Sequence, residues 1–166
     1  MSTTEPELVA RRGHGECSTE IVPAQGLWAK LKAECFTDPN LPPADIITTD
    51  DELLVRVTLC LQGDLRHHLC GRLCFKLAWD SCGPADDGEV VEWRDMDPCR
   101  TRDDCYVVEF RLPAGRLEAG ECGTVYCFCV TVSSRTIECP NEDPPYYTGL
   151  IHGFCRDICC IMVRPA

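Results

Sequence analysis

Apolar and polar residues alternate along much of this 166-residue chain with a period of two, the spacing that places side chains on opposite faces of an extended strand. The clearest run is LLVRVTLCL, residues 53–61. Leu53, Val55, Val57, Leu59 and Leu61 share one face, and Arg56, Thr58 and Cys60 share the other with Leu54. Residues 69–79 repeat the pattern, with Leu69, Leu73, Phe75, Leu77 and Trp79 opposite Cys70, Arg72, Cys74, Lys76 and Ala78, and with Gly71 as a bulge. CYVVEFRL, residues 105–112, predicts another strand, and EVVEW, residues 89–93, a short edge strand. CGTVYCFCVTVS, residues 122–133, is apolar on both sides, which predicts a central strand covered above and below.

Two segments need arbitration. Leu27, Trp28, Leu31 and Cys35 in GLWAKLKAECF would line a helix, but Leu27, Ala29, Leu31, Ala33 and Cys35 alternate without a break, so a strand is expected. GLIHGFCRDICCIMV, residues 149–163, reads as one closing strand with a bend or bulge at Gly153. Prolines break regular structure in residues 37–45 and 137–148, and Gly, Pro and Asp mark turns at 62–64 and 81–88. About seven strands without a helix predict an all-β fold: an antiparallel β-sandwich of jelly-roll or immunoglobulin-like type over residues 27–166, preceded by a flexible arm over residues 1–26.

Charge narrows the function. A net charge of −11 with no concentrated basic surface argues against nucleic acid as a partner. No apolar run reaches the length of a membrane span, and the opening MSTTEPELVARRGHGEC lacks the cationic start and apolar middle of a secretory signal.

Fifteen cysteines change the picture most, because a chain this long can bury a core without staples. The count is odd, so internal disulfides alone leave at least one thiol, for a bond to another chain or as a reactive group. Strand neighbours at i and i+2 sit at or beyond the reach of a disulfide and those at i and i+4 about twice as far apart, so Cys127 is not expected to bond Cys129, nor Cys70 to bond Cys74. The candidates for bonds to other strands, sheets or chains are Cys17, Cys35, Cys60, Cys70, Cys74, Cys127, Cys129, Cys155, Cys159 and Cys160. Among them Cys17, in the arm, and the adjacent pair Cys159 and Cys160, which point to opposite faces, are the expected links between chains.

His67-His68-x-Cys70-x3-Cys74, with Cys155-x3-Cys159-Cys160, is the rival reading as a zinc site, but the chain has no CxxC knuckle, and no metal or other cofactor is expected. Four histidines and fifteen thiols give Cys/His proximity by chance, and no phosphate loop, nucleophile elbow or spaced carboxylate pair stands out, so no catalytic residue is expected. Asp86-Asp87 and Asp103-Asp104 read as solvated loop charges, and Trp28, Trp79 and Trp93 as core or rim.

An arm bearing Cys17 followed by a β domain ending in Cys159-Cys160 resembles the plan of subunits of disulfide-crosslinked bacterial endospore appendages. The clusters CFC (127–129) and ICC (158–160) are similar to stretches of cysteine-rich spore-coat proteins. The resemblance implies a chain made without a signal peptide and oxidised afterwards. The expectation is a noncatalytic structural subunit at an extracellular or spore surface, docking on copies of itself through strand edges, the arm and disulfides. The alternatives are a monomeric module whose cysteines staple only its own core, a thiol- or zinc-dependent enzyme, and a reduced cytoplasmic protein.

Overall fold

The computed structural model describes residues 16–24, 26–37, 46–64, 66, 71–96, 105–137, 147–148, 151–155, 158 and 160–166, of which 16–24, 135–137, 147–148 and 152 are described by their backbone alone. Among the described residues there are eleven strands and no α-helix. In chain order they are β1 (Glu16–Ala24), β2 (Leu27–Phe36), β3 (Ile46–Thr48), β4 (Leu53–Gln62), β5 (Gly71–Ser81), β6 (Gly88–Met96), β7 (Cys105–Leu112), β8 (Thr124–Ile137), β9 (Tyr147–Thr148), β10 (His152–Cys155) and β11 (Cys160–Arg164). The first sheet has the order β1-β2-β4-β7 and is antiparallel throughout. The second runs β3-β11-β8-β5-β6, with β9 and β10 also paired to β8.

Alternation in the sequence becomes alternation in burial. Leu27, Ala29, Leu31, Ala33 and Cys35 of β2 are buried while Trp28 stays 46 % exposed, which excludes the helical reading of that segment. Leu53, Val55, Val57, Leu59 and Leu61 of β4 face Val108, Phe110 and Leu112 of β7 across the ladder or along it, and all are buried. The apolar faces of β5, β8 and β11 join them in one hydrophobic cluster that draws on both sheets. Tyr126, Phe75, Phe110 and Phe128 are its largest fully buried side chains. Burying such side chains stabilises the fold by about 1.5–3 kcal/mol each.

Several expectations need correction. About seven strands were expected and eleven are present among the described residues, because short pieces such as β3 and β9 carry too few residues to show a period. The second sheet is mixed rather than purely antiparallel, since β3 pairs parallel to β11. The arm does not extend through residue 26: Glu16–Ala24 forms β1, in which the β-branched Thr19 and Ile21 register opposite Leu31 and Ala29, and residues 1–15 lie outside the described set. The closing segment is two strands, β10 and β11, which meet different stretches of β8. Finally, β8 is central, but its outward row of Val125, Cys127, Cys129, Thr131 and Ser133 is only half-buried, so one of its faces is not fully covered.

Two contacts fix the connections. Gly63 turns the chain after β4 with φ of +95°, and a Cβ there would collide with the backbone carbonyl of Gly26, so only glycine fits where the two turns meet. Tyr126 pins the long β7–β8 connection: its hydroxyl accepts from the Glu118 N–H at 3.0 Å and donates to the Glu118 carbonyl at 2.9 Å. Burial is the main cause that raises the Tyr126 phenol above its ordinary value of 10.0. Tyr126→Phe leaves that N–H and carbonyl without these bonds and is expected to cost about 1–3 kcal/mol in urea unfolding at neutral pH. Because the folded-state value is raised, this tyrosine's contribution is present below the ordinary phenol value and fades as pH climbs through the raised one. The wild type should therefore lose a component of stability in the alkaline range that Tyr126→Phe does not lose.

Candidate functional site

The chemistry of this chain is sulfur on the two outer faces and at one end of the sheets. In the first sheet, β4 and β7 are registered so that Cys60 lies directly opposite Cys105, and the two form a disulfide with Cα atoms 4.0 Å apart. Both residues belong to the outward rows of their strands, so the bond lies on the surface side of the sheet rather than in the core. Around it the face is laced with ion pairs. Arg56 donates to Glu109 at 2.8 Å and stacks over Phe36 at 5.6 Å, and Arg111 donates to Glu52 at 3.0 Å. The Arg56 guanidinium is the main reason the Glu109 carboxyl titrates below the ordinary carboxylate value.

The outer face of the second sheet is built differently. Cys127 of β8 lies opposite Cys160 of β11 and the two are bonded, with Cα atoms 4.3 Å apart. On the same face Cys129 sits opposite Ala78, and Cys74 opposite Ser133 and Trp93. Cys74 and Cys129 are half-buried free thiols. Between them lies Lys76, whose ammonium donates to the Glu89 carboxylate. That hydrogen bond is the main cause raising the Lys76 ammonium above its ordinary value, against a smaller opposing effect of desolvation. Arg72 bridges Asp95 at 2.9 Å and lies over the Trp93 ring at 5.3 Å. The exposed apolar side chains Val91 and Phe154 occupy the same face, in the row of Lys76 and Thr131.

At the end of the sheets where the β5–β6 and β7–β8 connections meet, Cys82 and Cys122 are exposed free thiols lining one depression of about 600 Å³ with Glu118, Glu121 and Thr124. Cys82 continues the β5–β8 ladder by one bond, from its N–H to the Val125 carbonyl at 2.8 Å. The opposite side of the β5–β6 turn is closed by Asp87, which accepts from the Ser81 N–H at 3.0 Å, the main reason its carboxyl is held below the ordinary value.

The structure thus sorts the expected cysteines. Cys60 and Cys127 take cross-strand partners. Cys160 is not a link to another chain here: it points outward, as one member of an adjacent pair must, but the β8–β11 register sets Cys127 directly against it. Cys35 and Cys155 are buried in the shared core, on the inward faces of β2 and β10. Cys17 registers opposite Ala33 within β1 instead of lying in a loose arm. Cys70 and Cys159, with His67 and His68, lie outside the described residues. Among the described residues no group of three or more His, Cys, Asp and Glu side chains could hold a metal ion, and no helix is long and apolar enough to cross a membrane. Sequence reasoning passed over Cys105, Cys82 and Cys122. The last two stand in SCGPADDG and AGECG, where Gly, Pro and acidic neighbours already mark solvent-facing turns.

No family model and no curated protein matches the chain. The functional reading therefore rests on the sulfur geometry. Among the described residues two disulfides are made between directly opposed outward residues, while Cys74 and Cys129 on one face are half-buried and Cys82 and Cys122 at one end are exposed. Such an arrangement supports thiol–disulfide exchange with a neighbour.

Proposed function

We propose that this chain is a noncatalytic structural subunit, a β-sandwich of jelly-roll or immunoglobulin-like kind, that assembles with copies of itself into an extracellular or spore-surface fibre or coat. The observation that carries the reading is the position of the sulfur. Disulfides occupy the outer faces of both sheets, and four further thiols, Cys74, Cys82, Cys122 and Cys129, are half-buried or exposed instead of stapling the core. Sheet edges add a second means of docking, because the backbone groups of β7 and β6 at the ends of the two sheet paths can pair with another strand. A disulfide-forming chain suits an oxidising, non-cytoplasmic setting. The likeness to endospore appendage and coat subunits points the same way.

One observation favours a different reading. Both disulfides of the described residues close within one chain, which is what a monomeric stapled binding module would have. Oxidation of the purified full-length chain, followed by size-exclusion chromatography and a non-reducing gel, separates the two. Assembly gives a ladder at multiples of 18.5 kDa that collapses to one band with reductant. A single monomeric species before reduction would overturn assembly and leave the stapled module.

A further inference from the structure

We infer that the outer face of the second sheet is a self-docking surface on which two copies, related by a two-fold axis, are joined by a reciprocal pair of disulfides, Cys74 of each to Cys129 of the other. The inference rests on the assembly reading and names its contact.

The two thiols share a face but not a ladder position. Cys74 lies opposite Ser133 on β8, and Cys129 lies four residues before Ser133, opposite Ala78. They are therefore about 13 Å apart along the strands and about 4.8 Å apart across them. That is roughly twice the Cα separation a disulfide tolerates, about 6.8 Å, so they cannot bond each other within one chain. A two-fold axis in the plane of the face, through their midpoint and perpendicular to the line joining them, sets each Cys74 over Cys129 of the second copy and makes both bonds at once.

The same axis explains the rest of the face. It runs nearly crosswise to the strands, along the row formed by Val91, Lys76, Thr131 and Phe154. Val91 and Phe154 are 40 % and 52 % exposed, and beside the axis each meets its own counterpart. Burial of those apolar surfaces is the attraction that brings the faces together. Charge permits it. The whole chain carries −11, which opposes self-association, yet on this face Lys76 pairs with Glu89 and Arg72 with Asp95, so the patch is locally balanced. Among the described residues the first sheet's outer face offers no such pair of thiols, since Cys60 and Cys105 are bonded to each other.

Each bond forms by exchange with a small disulfide. The Cys74 thiolate attacks it, forming a mixed disulfide and releasing one small thiol. The Cys129 thiolate of the second copy then attacks the Cys74 sulfur, the protein disulfide forms and a second small thiol leaves. Per dimer, four protein thiols lose their protons, two small disulfides are reduced and four small thiols are released.

The test is oxidation of the full chain with oxidised glutathione, a non-reducing gel and mapping of unreduced peptides. A linked dimer containing a Cys74–Cys129 peptide pair is expected. Cys74→Ser alone and Cys129→Ser alone should each lose the link through this face, while a mixture of the two variants regains a dimer joined by a single bond. Internal Cys60–Cys105 and Cys127–Cys160 peptides in every variant show that the fold is intact. Linked dimers that persist in both single variants, with their bonds mapped to other cysteines, overturn this inference and leave the assembly reading standing. A wild type that never links covalently removes both.

Discussion

Replacing Phe128 by alanine is expected to cost about 3–5 kcal/mol, read as a fall in the urea midpoint with an unchanged slope. Phe128 is fully buried on β8, the strand to which β5, β9, β10 and β11 all pair, and its ring lies 6.3 Å from that of Trp79, its register partner on β5. Trp79 is held in turn by Arg116, 5.1 Å over its ring. The β5 ladder holds Phe128 on one side and the Ile158 N–H donates to its carbonyl at 3.0 Å on the other, so the backbone resists collapse into the vacated volume, and the lost transfer energy adds to the energy of the cavity. Val107→Ala is the control. Val107 is 50 % exposed on the outer row of β7, and its truncation should stay within about 0.5 kcal/mol of wild type.

The Cys60→Ser, Cys105→Ser double variant is expected to lose about 4 kcal/mol against the oxidised wild type, the chain-entropy figure for a cross-link spanning 45 residues. The size follows from what the bond joins: β4 and β7 are sheet neighbours but far apart in sequence, and between them the chain passes through β5 and β6 in the other sheet. Freeing that loop enlarges the unfolded ensemble, while the folded state loses little, because both residues lie on the outward rows and leave no cavity in the core. The variant should also keep the wild-type circular dichroism spectrum. Its ion-paired neighbours Arg56 and Glu109 are the next rung but one on the same ladder and hold the register without the sulfur.

These outcomes separate what a one-dimensional pattern carries from what only folding supplies. β2, β4 and β7 were legible almost to the residue, because each has one wholly apolar face and a polar one. Leu53 to Leu61 and Cys105 to Leu112 therefore announce both their period and their ends. β1 was not legible. Its Glu16, Ser18 and Glu20 and its Pro23 make a polar, interrupted run, and it is a strand because β2 offers it an edge. β10 and β11 were read as a single strand because nothing in HGFCRDICCIMV states that the two ends meet different parts of β8.

The sulfur site shows the same limit more sharply. Strand geometry correctly kept Cys127 from Cys129, but Cys60 finds Cys105, and Cys127 finds Cys160, only through register, which is set by the core-facing residues on the other side of each strand. Cys74 was legible on the polar face of its strand, whereas Cys129 was expected on a strand covered above and below and instead lies on a half-buried row. That they share one half-covered face with Val91 and Phe154 depends on sheet order.

The most direct measurement on the central claim, that oxidised sulfur holds these sheets and their neighbours, is the mass of native material after alkylation in denaturant without reductant. The two internal disulfides among the described residues withhold four of the 15 cysteines, so no more than 11 should take label, and fewer where copies are linked. Fifteen labels on a single unlinked chain would contradict the account.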